Sequence, residues 1–296
     1  MPFSATALNY AEQYQRALAQ AYPYALYFGE LYNTENDSRY QWVDAKTIKI
    51  PRLDVSGRVD NSRDTLKTAT RNFNNSWETK TLENERTWST LVHPMDIDET
   101  NYVASVSNIT KVMNEEQKFP EKDRYLVSKV HADYVSAGGK VDNTVLSESN
   151  ILSVFDKMMS DMTEARVPLT GRLCYITTQT NKMLKSAITR YTANGDENIK
   201  RIVSMIDEVK IIVVPSDIMY TEFDFTEGSV KTSGAKQINM FLVHPTAVIT
   251  PEKYSYASLD APSAVTQGKY FYYEESHEDV FILERRIGGI QFNVSA

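Results

Sequence analysis

The chain has 296 residues, 42% of them hydrophobic and 24% charged, which is ordinary for a folded protein in water and enough to bury a real core. A formal net charge of -7 and an isoelectric point near 5.3 argue against a protein that grips nucleic acid, because phosphate binding needs clustered Lys and Arg. No stretch reaches the roughly 18 consecutive apolar residues needed to cross a bilayer, and Met1-Pro2-Phe3-Ser4 lacks a basic region followed by an apolar one, so neither a leader nor a span is expected.

Residues 1–33 read as a terminal arm. Tyr10, Tyr14, Leu18 and Ala21 fall at helical spacing, Pro23 breaks the pattern, and Tyr22, Tyr24, Tyr27, Phe28 and Tyr32 follow with little polar relief. So aromatic a segment is expected to dock, either on its own domain or on a neighbouring copy.

Residues 34–93 read as an extended loop with flanking strands. Lys46-Thr47-Ile48-Lys49-Ile50-Pro51 alternates like a strand that Pro51 restricts to an edge or an end, since proline cannot donate to a ladder. Ser76 to Leu82 and Arg86 to Val92 are two further strand-like runs rich in Thr and Trp. Between Asp54 and Ser76 the large apolar residues are Val55, Val59, Leu66 and Phe73, too few for a core, and connections beyond ~12–15 residues are uncommon in compact domains. An extended arm of roughly 20 residues at ~3.3 Å each spans about 60 Å. A compact body of this chain length is only about 50 Å across. The loop can therefore leave its own subunit, and an isolated hairpin needs a surface to lie on.

Residues 94–140 contain helices. Val106, Ile109, Val112 and Met113 form one apolar stripe; a second helix is expected from Pro120, with Glu121 and Asp123 in its first turn, Leu126, Val127, Val130 and Tyr134 on its buried face, and Gly138-Gly139 at its end. Residues 141–250 alternate helix and strand. Ile151, Val154, Phe155, Met158 and Met162 mark a helix, Leu173 to Thr177 a strand, and Met183, Leu184 and Ile188 a helix; Ile202 to Ile206, Val209 to Val214 and Ile238 to Val243 read as strands. Residues 251–296 carry late strands at Tyr270 to Tyr273, Val280 to Leu283 and Ile290 to Val294, so the chain as a whole is α+β. The lone cysteine, Cys174, lies in an apolar run and reads as a buried inert thiol suited to a reducing cytoplasm.

Chemical motifs are weak. His93, Asp96, Asp98 and Glu99 have metal-binding residue types, but a solvated acidic turn needs no ion. Gly138-Gly139-Lys140 lacks the rest of a phosphate loop, Lys231-Thr232-Ser233-Gly234 lacks the companion nucleophile motif of a serine hydrolase, and His131 and His277 each read as structural or solvated. No enzymatic role, cofactor or metal is expected.

Several stretches carry a family resemblance. Ala45 to Pro51 looks like the strand that opens an extended loop, Ser76 to Thr79 with Leu82 to Arg86 like the returning strand, and Met95 to Thr100 like the acidic turn after it. Phe119 to Tyr125 looks like the start of a spine helix, while Val213 to Ser216, Ile238 to His244 and Ala247 to Lys253 look like axial-domain strands and the segment beyond them. In this order, over almost the whole chain, they resemble the major capsid proteins of tailed phages with the Hong Kong 97 type fold. The resemblance implies an N-terminal arm at 1–33, an extended loop at 34–93, a spine-helix region of a peripheral domain at 94–140, an axial domain at 141–250, and late strands returning through both domains at 251–296. It implies hexamers and pentamers of an icosahedral shell enclosing double-stranded DNA that is contacted non-specifically, with a portal as partner, no membrane, and location in a virion assembled in the bacterial host cytoplasm. Many relatives begin with a cleaved helical scaffold; here arm-like sequence starts within ten residues of Met1, so a separate scaffolding protein is expected. An encapsulin-like compartment is the alternative within the fold, and a monomeric hydrolase the alternative outside it.

Candidate contacts between copies are the aromatic anchors Tyr24, Tyr27, Phe28, Tyr32, Trp77 and Trp88. Loop cations Arg58, Arg63, Lys67 and Arg71 are expected to meet acids such as Glu274, Glu275, Glu278 and Asp279 of an adjacent copy, each exposed pair contributing ~0.2–1 kcal/mol.

Overall fold

The computed structural model describes residues 24–32, 40–44, 46–58, 60, 71–100, 104–192 and 203–295. The helical spacing of Tyr10, Tyr14, Leu18 and Ala21, and Tyr22, Val59, Arg63, Leu66, Lys67 and Ile202, lie outside them.

Helix α1 (Gly29–Tyr32) follows the aromatic Tyr24–Phe28 segment, and strands β1 (Gln41–Trp42), β2 (Thr47–Val55) and β3 (Phe73–Thr81) form a three-stranded sheet in the order β1-β2-β3. β1 pairs only with Ile48 and Lys49, so beyond that point β2 has β3 alone as partner. Pro51 sits in this one-sided stretch, opposite Trp77, where its missing N–H costs no second ladder bond. After Thr81 the chain turns into β4 (Glu85–Val92), which joins a different sheet. Met95 to Thr100, expected as a turn, instead lies largely within α2 (Pro94–Glu99), because His93 caps it: the ring Nδ1 accepts from the Met95 N–H at 3.1 Å.

The two expected spine helices are one. Helix α3 (Val106–Met113) widens into a π turn (Asn114–Lys118) and runs on as α4 (Phe119–Ser136). The widening comes just before Pro120, which has no N–H to give an α-type ladder, and lets the helix continue past it. Its end follows the expectation. Gly138 and Gly139 donate to the Val135 and Tyr134 carbonyls at 3.0 and 2.8 Å, and Gly138 takes φ 85° at the left-handed position where a side chain would strain the turn.

Helix α5 (Ile151–Glu164), strand β5 (Leu173–Thr177) and helix α6 (Thr178–Thr192) precede β6 (Met205–Ile206), shorter than the expected strand, and β7 (Val209–Val214). A small hairpin, β8 (Phe223–Asp224) with β9 (Val230–Lys231), leads to β10 (Ile238–Val243), a 3-10 turn and β11 (Val248–Ile249). The chain closes with β12 (Glu252–Asp260), β13 (Tyr270–Glu278), β14 (Phe281–Ile282), a 3-10 turn (Glu284–Gly289) and β15 (Ile290–Val294).

The central sheet has the order β15-β10-β5-β7-β6, with β5 and β7 parallel and the other pairs antiparallel. Strand alternation divides its side chains between two cores. Leu173 and Tyr175 of β5, Phe241 and Val243 of β10 and Ile290 and Phe292 of β15 meet Leu126, Val127, Val130 and Tyr134 of α4. Cys174, Ile176, Met240 and Leu242 turn the other way, onto Ile151, Val154, Phe155, Met158 and Met162 of α5 and Leu184 of α6. Phe241 and Phe292 stack with centroids 4.5 Å apart and planes 3° from parallel. Cys174 is fully buried, and that burial pushes its thiol up to about 12. A third core at the root of the β2–β3 hairpin joins Ile48 and Leu82 to Ile249 and Phe281. Among the described residues no helix is long and apolar enough to cross a membrane.

Candidate assembly surfaces

The aromatic segment after residue 23 docks on its own chain, on Asp123 of α4. That carboxylate accepts from Tyr24 Oη at 2.6 Å, from the Tyr27 N–H at 2.8 Å and from the Phe28 N–H at 3.3 Å. Tyr32 Oη donates to the Lys122 carbonyl at 2.9 Å, and Phe28 packs on Tyr175 with ring centroids 4.5 Å apart. Burial holds the Asp123 carboxyl at about 6 against the lowering pull of its three donors, and burial likewise raises the Tyr24 hydroxyl. Phe28, expected as an anchor between copies, is 0% exposed in its own chain and has no surface left to offer. Tyr24, Tyr27 and Tyr32 are half-buried, packed against the same core. The reading of Asp123 as a first-turn acid missed its role, because nothing in its own helix signals partners nearly a hundred residues away.

The β2–β3 hairpin is two-faced. Residues paired across the ladder share a face, so Pro51, Leu53 and Val55 line up with Trp77, Asn75 and Phe73. Leu53 is 57%, Val55 64%, Phe73 52% and Trp77 47% exposed. The opposite face is tied to the body: Asp54 pairs with Arg285, Arg52 and Lys80 each reach Glu284 at 3.7 Å, and Arg285 also donates to the Leu53 carbonyl. The polar side is thus anchored and the apolar side left open. Arg58 is exposed toward the hairpin tip, and Arg71 lies over the Phe73 ring at 5.4 Å.

The acids near residue 277 are engaged within the chain. Glu274 pairs with Lys118 at 3.1 Å and Glu278 with Lys122 at 2.5 Å, which fastens the spine helix to β13. Asp279 accepts from Tyr125 Oη and the Glu83 N–H, each at 2.8 Å, and is 2% exposed. The expectation that Asp279 meets a cation of another copy is therefore corrected by its burial, and Glu274 and Glu278 already hold cations of their own chain. Glu275 points to the other side of the sheet, toward His277.

The sheet β12-β13-β4 turns one face to the spine helix. Between them runs a groove of 930 Å³, lined by Ile109, Val112 and Met113 of α3 and by Trp88 of β4. The apolar stripe of α3 is half-buried throughout. Trp88 packs on Tyr272 with centroids 5.7 Å apart. Arg86 crosses the groove to Glu121 at 2.6 Å and to the Phe225 carbonyl.

Of the residues weighed for chemistry, His93, Lys231 and His131 each have a local structural role. His93 is a helix cap, Lys231 covers the Tyr220 ring at 4.0 Å beside a Thr232–Glu222 hydrogen bond, and His131 packs edge-on to Phe292 with its basicity lowered by burial.

This architecture, a central sheet between helices with a long spine helix widened by a π turn and a two-faced hairpin, matches solved structures. A chain of the mature capsid of bacteriophage PhiM1 superposes with a TM-score of 0.69 at 12% identity, covering 97% of this chain and 92% of that one. The chain has the Hong Kong 97 type capsid fold. A chain of Mycobacterium phage Che8 superposes with a TM-score of 0.68 at 11% identity, with 96% of each chain covered. The capsid of Cyanophage P-SCSP1u gives 0.66 at 10% identity over 97% of this chain and 93% of that one. No protein-family model matches the sequence, and no curated protein matches it, so the capsid fold is legible through shape and through the order of motifs.

Proposed function

We propose that this chain is the major capsid protein of a tailed bacteriophage, assembling with copies of itself into the hexamers and pentamers of an icosahedral head that encloses double-stranded DNA. The observation that carries the reading is the hairpin: an apolar face held clear of the body while its polar face is fastened to it. A monomer in water gains nothing from leaving Leu53, Val55, Phe73 and Trp77 so exposed, whereas a neighbouring subunit covering them gains their burial.

On this reading residues 94–140 belong to the peripheral domain and 141–250 to the axial domain, which gathers copies around a local axis. Repeated use of the same surfaces closes the shell, with small bends separating pentamer from hexamer. The net charge of -7 suits a wall that contains DNA without gripping it. The role is structural, the site of action is the virion, and a separate scaffolding protein and a portal complete the assembly.

Cryo-electron microscopy of particles purified from an infected host tests this. Closed icosahedral shells filled with DNA, with this chain tiling the wall and the hairpin lying on a neighbour, are expected. A chain that sediments as a monomer under all conditions, with its hairpin amides protected by its own body, would overturn the proposal; shells filled with a protein cargo would reassign it to a compartment.

A further inference from the structure

Beyond assembly, the molecule holds one convergence of metal-ligating side chains among the described residues, formed by Glu85, Glu275 and His277, whose ligand atoms all lie within 4.8 Å of one another. They come from two strands. His277 of β13 lies directly opposite Glu85 of β4, and Glu275 lies two residues before His277 on the same face. The imidazole Nε2 stands 2.8 Å from Glu85 Oε1 and 3.3 Å from Glu275 Oε1. Ligands at ~2.0 Å around a tetrahedral ion sit about 3.3 Å from each other, so these spacings suit one ion with little movement.

The surrounding groups favour an ion over a casual cluster. Each carboxylate has its outer oxygen held: Lys46 Nζ donates to Glu85 Oε2 at 2.8 Å, and Tyr273 Oη donates to Glu275 Oε2 at 2.7 Å. Both inner oxygens are thereby aimed at the imidazole, the kind of outer support that fixes metal ligands in place. On the far side Tyr254 sets its ring edge-on to His277 at 6.2 Å, limiting the directions the imidazole can take.

We propose that Glu85, Glu275 and His277 form a binding site for a divalent transition-metal ion of the zinc class, pinning β4 to β13 at the root of the extended hairpin. One nitrogen and two carboxylate oxygens suit a borderline cation with water as fourth ligand, and not the all-oxygen shells that magnesium and calcium prefer. The hairpin returns through Leu82–Asn84 into Glu85, and Lys46, just before its outgoing strand, holds the same carboxylate, so the site lies at the root of the hairpin. This inference stands independently of the shell reading.

Calorimetric titration of zinc chloride into the purified chain at pH 7.5 tests it. About one equivalent is expected to bind and to raise the melting temperature, without displacement by magnesium or calcium chloride. His277→Ala abolishes this uptake, and Tyr273→Phe, which leaves every ligand in place, weakens it ~10-fold. Absence of zinc uptake, or uptake that His277→Ala leaves unchanged, overturns the site and leaves a plain ion pair. Should that variant fail to fold, the Co2+ form of the unaltered chain decides: intense visible bands of a tetrahedral site uphold the proposal, and their absence overturns it.

Discussion

Replacing Phe73 and Trp77 together by serine separates the folding of a subunit from its association with others. An aromatic side chain carries ~200 Å² of surface. With Phe73 52% and Trp77 47% exposed, about 200 Å² of the pair stands open in the single chain. Covering all of it at ~25 cal/mol per Å² is worth ~5 kcal/mol per contact, and ordering costs at an interface leave about half, ~2.5 kcal/mol. At ~1.4 kcal/mol per tenfold, the double substitution weakens each contact by ~60-fold. The same change costs the subunit itself at most about 2 kcal/mol, two strand positions at up to ~1 kcal/mol each, because neither ring sits in a core. Denaturant unfolding of the isolated chain should therefore match the unaltered protein within that margin, while gradient sedimentation and electron microscopy show particle yield collapsing. Normal particle yield from a folded double variant would refute the reasoning that the open face drives association.

The buried carboxyl of Asp123 makes arm docking depend on pH. Its folded value of about 6 lies above the ordinary 3.8, so between these the folded chain holds a proton that the unfolded chain lacks, and its contribution to stability grows as pH falls through about 6. Relative to Asp123→Asn, the unaltered chain should gain about 2 kcal/mol between pH 7 and pH 4.5 in urea unfolding, and parallel pH profiles would contradict this. The Lys122–Glu278 tie between spine and sheet predicts that Lys122→Glu lowers the melting temperature and that adding Glu278→Lys restores most of the loss; a double variant no better than the single one would show that the pair contributes nothing.

Much of this architecture was legible from local pattern. The helical spacing of Ile151, Val154, Phe155, Met158 and Met162 and the spine residues Leu126, Val127, Val130 and Tyr134 mark faces that the structure buries. The alternation of Lys46 to Pro51 and the Thr- and Trp-bearing run Ser76 to Leu82 mark strands that pair with each other as β2 and β3. Strand β12 escaped notice because it is exposed along nearly its whole length and owes its conformation to pairing with β13, not to its composition.

What the amino-acid order determined by itself was where helices and strands form and which of their faces seek cover, because both follow from spacings of a few residues. Only the tertiary structure decided what covers them. It placed Phe28 in the chain's own core through an acid on a distant helix, sent β3 and β4 into separate sheets, turned the apolar side of the hairpin outward, and brought Glu85 beside His277. Those outcomes depend on contacts between residues far apart along the chain, whose geometry exists only once the chain has folded.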